Sequence, residues 1–460
     1  MLHLGTFPTG EKFQPPAHRA SAAASVGCPP ARLGPVNRSS LPPFPALPEG
    51  PVPGEPHPDA VRFILRLGRA LHECGYASHR LESILLRAAD RIGLPAQFFT
   101  TPTSIFAAFG PLERQRTYLL RVEPGGQDLG RMADIDGVIG DVVRRGSVPL
   151  AEGAARIDAI MAGPSRYGPA VLVLAFGVAS AASARFLGGG WREVLIGGAT
   201  GLVTGLLSRL ASSHATLGRV FEPLAAFLVA AIVSLASVAL TPLSVPTGTL
   251  AGLIVLIPGL TFTVAMTELT NRHLVAGISR LSGALMLFLA IAFGVALGNQ
   301  LVGRIAGAVP SVAPTPLPGW TELLALVVAT LGFTVLLHAR LRDAPWVLLV
   351  GAAAIWFSRL GALALGVELG SFIGALTVGV ASNVFSRFRD QPSSVTQVPG
   401  ILFLVPGSVG VRSLFSMLDQ EVIRGVETTF QMLLIGASLV AGILVANVVA
   451  PSRHLREGSV

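Results

Sequence analysis

From Gly168 onward the chain repeats apolar runs of roughly 17 to 25 residues, the length that crosses about 30 Å of hydrocarbon. Ten are present, at 168–187, 191–209, 221–240, 247–266, 273–299, 320–338, 345–361, 364–384, 395–411 and 427–449. The runs are continuously apolar rather than alternating, so they predict membrane helices and not a barrel. Composition agrees. Only 13% of the 460 residues are Asp, Glu, Lys or Arg, and 51% are hydrophobic. That excludes an ordinary soluble enzyme, which carries about 25% charged residues. The formal net charge of +8 comes almost wholly from arginine, because Lys12 is the single lysine. The arginines are scattered through apolar sequence with no basic stripe and no interleaved aromatics, so nucleic acid is not expected as a partner.

Two segments precede the spans. Residues 1–57 are rich in Pro, Gly, Ala and Ser without periodicity and predict a disordered tail. Cys28 follows a faint lipoprotein-like box, but the apolar stretch before it is too short for a signal segment. Residues 58–165 predict a small α+β domain in the order ααβββαα. Asp59 is the expected cap of a helix carrying Phe63, Leu67 and Leu71 and ended by Gly75; Ser78 is the expected cap of a second, carrying Leu81, Leu85 and Ala88 and ended by Gly93. Strands are expected at 98–101, 103–109 and 116–122, and helices at 128–145 and 150–161.

The spans contain a duplication. Leu256-Ile257-Pro258-Gly259 in the fourth matches Leu404-Val405-Pro406-Gly407 in the ninth, an offset of 406 − 258 = 148, and Gly277 and Gly425 share it. Five spans repeated twice (168–300 and 319–450) must enter the membrane from opposite sides, because five is odd. Inverted repeats of this kind characterise secondary transporters, whose substrate sites lie near the midplane between the repeats. Arginines of the short loops are more numerous on the side of the α+β domain: Arg209, Arg219, Arg272, Arg340, Arg342, Arg387, Arg389, Arg453 and Arg456 against Arg185, Arg192, Arg304, Arg359, Arg412 and Arg424. That bias places the domain and both termini in the cytoplasm.

The fold class expected is therefore an all-α polytopic membrane protein of ten transmembrane helices in two five-span inverted repeats, preceded by a small cytoplasmic α+β domain. Its candidate site is built on the breaks. Pro258-Gly259, Pro399-Gly400 and Pro406-Gly407 interrupt apolar spans, and the N–H and C=O groups they free are tolerated only inside protein or beside a wet cavity. Half-helix N-termini there would favour a carboxylate, and carbonyls an ammonium or cation. Arg280, within the fifth span, costs about 2.5–3.5 kcal/mol to insert unless partnered or wet. It joins Glu368 in the eighth span as a candidate charged contact for a substrate. Thr261, Asn383 and Ser408, with Thr263 and Gln397, supply neutral polar groups around the same breaks. Proton coupling is assigned to Glu268 or Glu368, since burial favours the protonated form of a carboxylate. The glycine series 197/201/205 and 366/370/374 predict close helix packing. His72, Glu73, Cys74 and His79 cluster without metal-ligand spacing, and Pro406 to Gly410 lacks the first glycine of a nucleophile elbow. Neither an enzymatic centre, a metal nor a cofactor is expected.

Three features together resemble the threonine/serine exporter family: the Pro-rich tail, the ααβββαα domain bearing Gly75-Tyr76-Ala77-Ser78-His79-Arg80-Leu81-Glu82, and the stretch Val398-Pro399-Gly400-Ile401-Leu402-Phe403-Leu404-Val405-Pro406-Gly407-Ser408. The resemblance covers about residues 60–450, in the form that fuses the domain and two five-span halves. It implies export of small hydroxy amino acids across the cytoplasmic membrane, driven by the membrane potential or proton gradient. The partners implied are a small amino or organic acid and membrane lipid, and a homo-oligomer is compatible with it. Some split relatives are implicated in dicarboxylate export, for which Arg412 would be the second cation. Where the family often carries a threonine-type hydroxyl, this chain has His79, and no role is assigned to it. A membrane-anchored enzyme or sensor acting through residues 58–165 is the alternative from another class.

Overall fold

Polar caps and left-handed glycines set the helix boundaries of the N-terminal unit. In the computed structural model, which describes residues 57–239, 242–307, 312–418 and 421–451, the unit runs α1 (Pro58–Glu73), α2 (Ser78–Arg91), β1 (Ala96–Thr101), β2 (Ser104–Phe109), β3 (Arg116–Arg121), α3 (Leu129–Ile139) and α4 (Leu150–Ala162). The expected disordered tail, His57 apart, and Cys28 lie outside the described residues. Gly75 (φ +90°) and Gly93 (φ +71°) end α1 and α2 in conformations that favour glycine. Two caps differ from expectation. Pro58 occupies the first position of α1, so His57 becomes the cap and its Nδ1 accepts the Asp59 N–H (3.3 Å), while Asp59 pairs with Arg62. Ser78 lies inside α2 rather than before it, Ala77 stands at the cap position, and no side chain of the unit caps the helix.

The three strands form an antiparallel sheet in the order β1-β2-β3, with Phe99 opposite Phe106 and Ile105 opposite Leu120. Alternation sends Ile105, Ala107 and Phe109 into a core with Phe63, Leu67, Leu71, Leu81 and Leu85. Leu337 and Ala339, from a loop of the apolar part, complete that same core.

Twelve further helices of two turns or more follow among the described residues, together with the single turn α7. They are α5 (Pro169–Phe186), α6 (Trp191–Ala211), α7 (Ala215–Gly218), α8 (Phe221–Ala239), α9 (Val245–Leu253), α10 (Gly259–Thr270), α11 (Leu274–Ala306), α12 (Thr321–Leu336), α13 (Ala344–Leu365), α14 (Val367–Arg389), α15 (Ser394–Leu402), α16 (Gly407–Leu418) and α17 (Val422–Val449), with the pairs α9/α10 and α15/α16 each forming one broken run. Eight stretches among the described residues are long and apolar enough to cross a membrane, α15/α16 counting as one; α12 is apolar but shorter. Large apolar side chains such as Met286, Phe293, Trp356, Leu363 and Phe430 point outward. Water would penalise such a belt and lipid accepts it, so the protein is a multi-pass membrane protein.

Some expected boundaries move. The eighth run starts at Val367 rather than 364 because Gly366 (φ +93°) makes the turn from α13; Glu368 accordingly sits half-buried in the first turn of α14, at the start of that apolar helix. Gly370 and Gly374 pack against Ser358, Ala362 and Ala354 of α13, the close approach that small residues allow. Pro399 does not break the chain. It lies buried within α15, and Gly400 packs on Val350 and Val378; the helix gives way only at Phe403–Pro406.

The duplication is visible in the packing. A Cβ on Gly294 of α11 would meet Pro223 O (2.3 Å) and Ala226 of α8, and one on Gly442 of α17 would meet Phe372 O (2.5 Å) and Ala375 of α14. Likewise Gly277 abuts Leu269 and Gly425 abuts Met417. Gly294 and Gly442 (442 − 294 = 148) and Leu269 and Met417 (417 − 269 = 148) keep the offset of the Pro-Gly sequences, and the pairs Pro223/Phe372 and Ala226/Ala375 differ from it by one residue.

These contacts make a direct prediction. Gly294→Val and Gly442→Val each cost about 1–3 kcal/mol through overpacking. Gly303→Val, where an added Cβ meets nothing within 4 Å, leaves the protein unchanged. Thermal unfolding of the detergent-purified chain followed by tryptophan fluorescence measures the difference.

Candidate functional site at the crossed breaks and the junction

The two broken runs cross. Both breaks end in Pro-Gly, and the glycines touch: a Cβ on Gly259 would lie 2.1 Å from Val405 Cγ1 and 3.1 Å from Gly407 Cα, and one on Gly407 would lie 2.7 Å from Ile257 and 3.2 Å from Gly259 Cα. Only glycine permits backbone to approach backbone this closely. At the first break the Gly259 N–H bonds to Ile257 O (2.8 Å) and the Phe262 N–H to Pro258 O (2.9 Å); past the second break the Gly410 N–H bonds to Pro406 O (3.1 Å). The first turns of α10 and α16 hold the N–H groups that lack an acceptor four residues back, at the positive ends of both helix dipoles.

Two cavities flank the crossing. One, of about 560 Å³, lies on the side of the N-terminal unit and is lined by Pro258, Gly259, Thr261, Gly407, Ser408 and parts of α5, α6 and α12. The other, of about 290 Å³, lies on the far side near Phe186, Ser358 and Arg359. Ile254, Phe333, Leu402, Val405 and Ser408 line both. Phe403 lines the second cavity and stands edge-on to Phe186 (6.2 Å between ring centres) and to Phe333 (5.4 Å), which lines both. Phe333 and Phe403 thus form an aromatic pair beside the breaks.

The remaining candidate residues are placed differently. Pro406 adjoins the crossing and is buried. Pro399 and Gly400 belong to helix packing. Asn383 of α14 is buried and donates to Asn447 Oδ1 of α17 (3.0 Å), an interhelical bond away from the cavities. Glu368 is remote, in the first turn of α14. Arg412 is exposed on α16. Arg280 is committed: its Nε lies 3.1 Å from the Glu268 carboxylate.

That carboxylate is the centre of a second arrangement, at the junction with the N-terminal unit. Glu268, in the last turns of α10, is fully buried. Its Oε1 accepts the Ser78 N–H (2.8 Å) and the Arg280 Nε–H (3.1 Å), and its buried Oε2 lies 3.1 Å from the same Arg280 Nε within the ion pair. The missing cap of α2 is thus supplied from 190 residues away, by a carboxylate where the helix dipole favours one. Around it, the His79 and His273 rings lie 6.2 Å apart, His273 Nδ1 is 3.6 Å from Glu82, and Glu82 accepts the Thr100 N–H (2.7 Å) and hydroxyl (2.9 Å). Burial, reinforced by the charges of Arg80, His273 and Arg280, pushes the His79 imidazole down to about 3, so the ring is neutral at physiological pH.

Further contacts join the unit to the membrane helices. The N–H groups of Leu129 and Gly130 donate to Leu337 O (3.0 Å) and His338 O (3.2 Å), Tyr167 donates to Ala339 O (2.6 Å), and Asp134 pairs with Arg166 (3.0 Å) and Arg340. Sequence reasoning singled out Glu268 and Arg280 separately and did not pair them. Glu82, Arg80 and the Ser78 N–H carried no signal beyond their place in one short stretch.

A family model of the threonine/serine exporters matches residues 62–302, and a second model of the same exporters matches residues 322–449. The chain belongs to the threonine/serine exporter family. The break between the two models falls between α11 and α12, where the repeats divide. The chain is also similar to the pheromone-regulated membrane protein 10 of Candida albicans (27% identity, 76% of this chain, 33% of the relative) and of Debaryomyces hansenii (27%, 76% and 36%). The protein of that name from Saccharomyces cerevisiae is 26% identical over 78% of this chain and 47% of its own length. The chain thus spans between a third and a half of the length of these curated relatives. No solved structure matches it.

Two measurements probe the junction. Glu268→Ala leaves Arg280 in a mostly buried site without its partner, which costs about 3–5 kcal/mol. It should lower the unfolding midpoint and speed amide exchange across Ser78–Leu81, and adding Arg280→Leu should recover part of the loss. Because the folded His79 titrates at about 3 and an exposed histidine near 6.5, the unfolded chain binds the extra proton first. The stabilisation is full above about pH 6.5 and is lost as pH falls from there towards 3. His79→Gln should flatten the fall in unfolding midpoint between pH 7 and pH 5.

Proposed function

We propose that this chain is a secondary active exporter of small amino acids, threonine and serine foremost, driven by the proton-motive force across the cytoplasmic membrane. The observation that carries the reading is the contact of two symmetry-matched Pro-Gly breaks between two cavities, in a chain of the exporter family. In this reading the ten runs are ten spans, with α9/α10 and α15/α16 each counted once, in two five-span repeats of inverted topology. The unit of residues 58–165 and both termini face the cytoplasm.

The amino acid's carboxylate is received by the free N–H groups at the starts of α10 and α16, where dipoles favour an anion. Its hydroxyl has Thr261 and Ser408 within the same cleft. Rocking of one repeat against the other moves the Phe333–Phe403 pair and opens the site to each side in turn. Glu268 is the coupling residue of this account, and Glu368, far from the crossing, is not. Protonation of the Glu268 carboxylate, whose two oxygens both face Arg280 Nε, weakens the hold on both Arg280 and α2.

Efflux of radiolabelled L-threonine from proteoliposomes bearing an imposed proton gradient tests the reading. The wild-type protein should export threonine and serine, and an uncoupler should abolish the gradient-driven component. Glu268→Gln should retain exchange but lose its dependence on pH, whereas Glu368→Gln should behave as wild type. Export of succinate without threonine would transfer the reading to dicarboxylates.

A further inference from the structure

A third cavity lies beneath the N-terminal unit. It is small, about 70 Å³, and is walled by Tyr76, His79 and Arg80 from the unit, by Thr263 and Thr267 of α10, and by Gln397 of α15. It continues past Tyr76, His79 and Arg80 into a groove of about 230 Å³ that reaches the exposed Ser83. At its other end Leu260 lines both this cavity and the cleft at the crossing. The cavity therefore sits on a route from the surface of the unit, along α10, to the breaks.

Its polar groups are under-used. The Arg80 Nη2 donates to the neutral Gln397 Oε1 (2.5 Å), and no carboxylate among the described residues neutralises the guanidinium. A guanidinium carries five N–H donors in a planar fork that fits a carboxylate in a bidentate manner. Desolvation already weighs against the charge of Arg80. A cation withdrawn from water without a counter-charge is costly, and an incoming anion removes that cost. The neighbouring His79 Nδ1 is buried without a hydrogen-bond partner. Arg280, the other cation here, is held by Glu268. Other charges of the junction are spoken for as well, Glu82 by Thr100 and His273.

We propose that Arg80, with His79 and Gln397, forms a carboxylate-recognition subsite at which a small amino acid or organic acid docks on the side of the N-terminal unit before it reaches the crossed breaks. The inference deepens the export reading and rests on it for direction. Arg80 binds the carboxylate with its free N–H donors. His79, neutral, offers Nδ1 to the ligand's hydroxyl or ammonium. The subsite gives the N-terminal unit a task that the membrane repeats alone would leave unfilled.

The test follows labelling of Arg80 in the full-length purified protein by phenylglyoxal, read by peptide mass spectrometry, alongside threonine transport in proteoliposomes. L-Threonine or succinate should slow formation of the Arg80 adduct, and threoninol, which lacks the carboxylate, should not. Arg80→Gln should raise the KM for L-threonine presented on the side of the unit by about ten- to a hundred-fold, the loss of one charge-assisted hydrogen-bonded contact, with little change in kcat. Arg80→Lys should fall between Arg80→Gln and wild type. An Arg80 that labels equally with and without carboxylates, or that resists labelling while Arg80→Gln keeps the wild-type KM, overturns the subsite. Protection by L-threonine in a protein that does not transport it overturns the export reading and leaves the subsite standing; transport with neither protection nor a KM change does the reverse.

Discussion

The fully buried carboxylate of Glu268 ties the two parts of this molecule together. One of its oxygens caps α2 at Ser78 and receives Arg280 of α11, so a single side chain on α10 holds the N-terminal unit, the second half of a broken run and the longest helix of the first repeat. A carboxylate in so dry a place is stable only with such partners. The dependence runs both ways. Helix α2 has no cap of its own, and Arg280 would otherwise be a mostly buried cation in an apolar helix. Any change in the charge of Glu268 is therefore felt at once in α2, α10 and α11.

Helix α10 carries that interaction at one end and the crossing at the other. Between them run Thr263 and Thr267, whose hydroxyls bond back to Gly259 O (3.0 Å) and Thr263 O (2.8 Å). The Pro-Gly break separates this half-helix from α9, and across the contact of Gly259 with Gly407 the Val405 and Ile257 side chains of each break pack on the glycine of the other. Helix α10 thus joins the junction at Glu268 to the crossing at Gly259, while Phe403 belongs to the other broken run.

Much of the architecture was legible in the sequence, because hydrophobic length and period are local signals. The apolar runs, the element order ααβββαα and the glycine turns at Gly75 and Gly93 all follow from residues near one another in the chain. The 148-residue offset was legible too, and it reappears in the contacts of Gly294 and Gly442. What misled was chemistry whose meaning depends on distant partners. Pro399-Gly400 and Pro406-Gly407 look alike in sequence, yet α15 absorbs the first and breaks at the second, since Gly400 has α13 and α14 to pack on and Gly407 meets only another break. Glu368 is an intramembrane charge by its surroundings in sequence and a helix-start residue once Gly366 turns the chain. Ser78 reads as a cap and is instead the group being capped. Arg80 shows its importance only when Gln397, 317 residues away, is brought to it.

The account stands or falls on whether solute reaches the crossed breaks. Single cysteines at Thr261 and Ser408, in a chain with Cys28 and Cys74 replaced, can be exposed to a membrane-impermeant thiol reagent from each side of oriented vesicles. Reaction at both positions from at least one side, slowed by L-threonine and shifted between sides by the proton gradient, is the predicted result. Cysteines at these positions that stay inert from both sides, or that react at a rate indifferent to substrate and gradient, would contradict it.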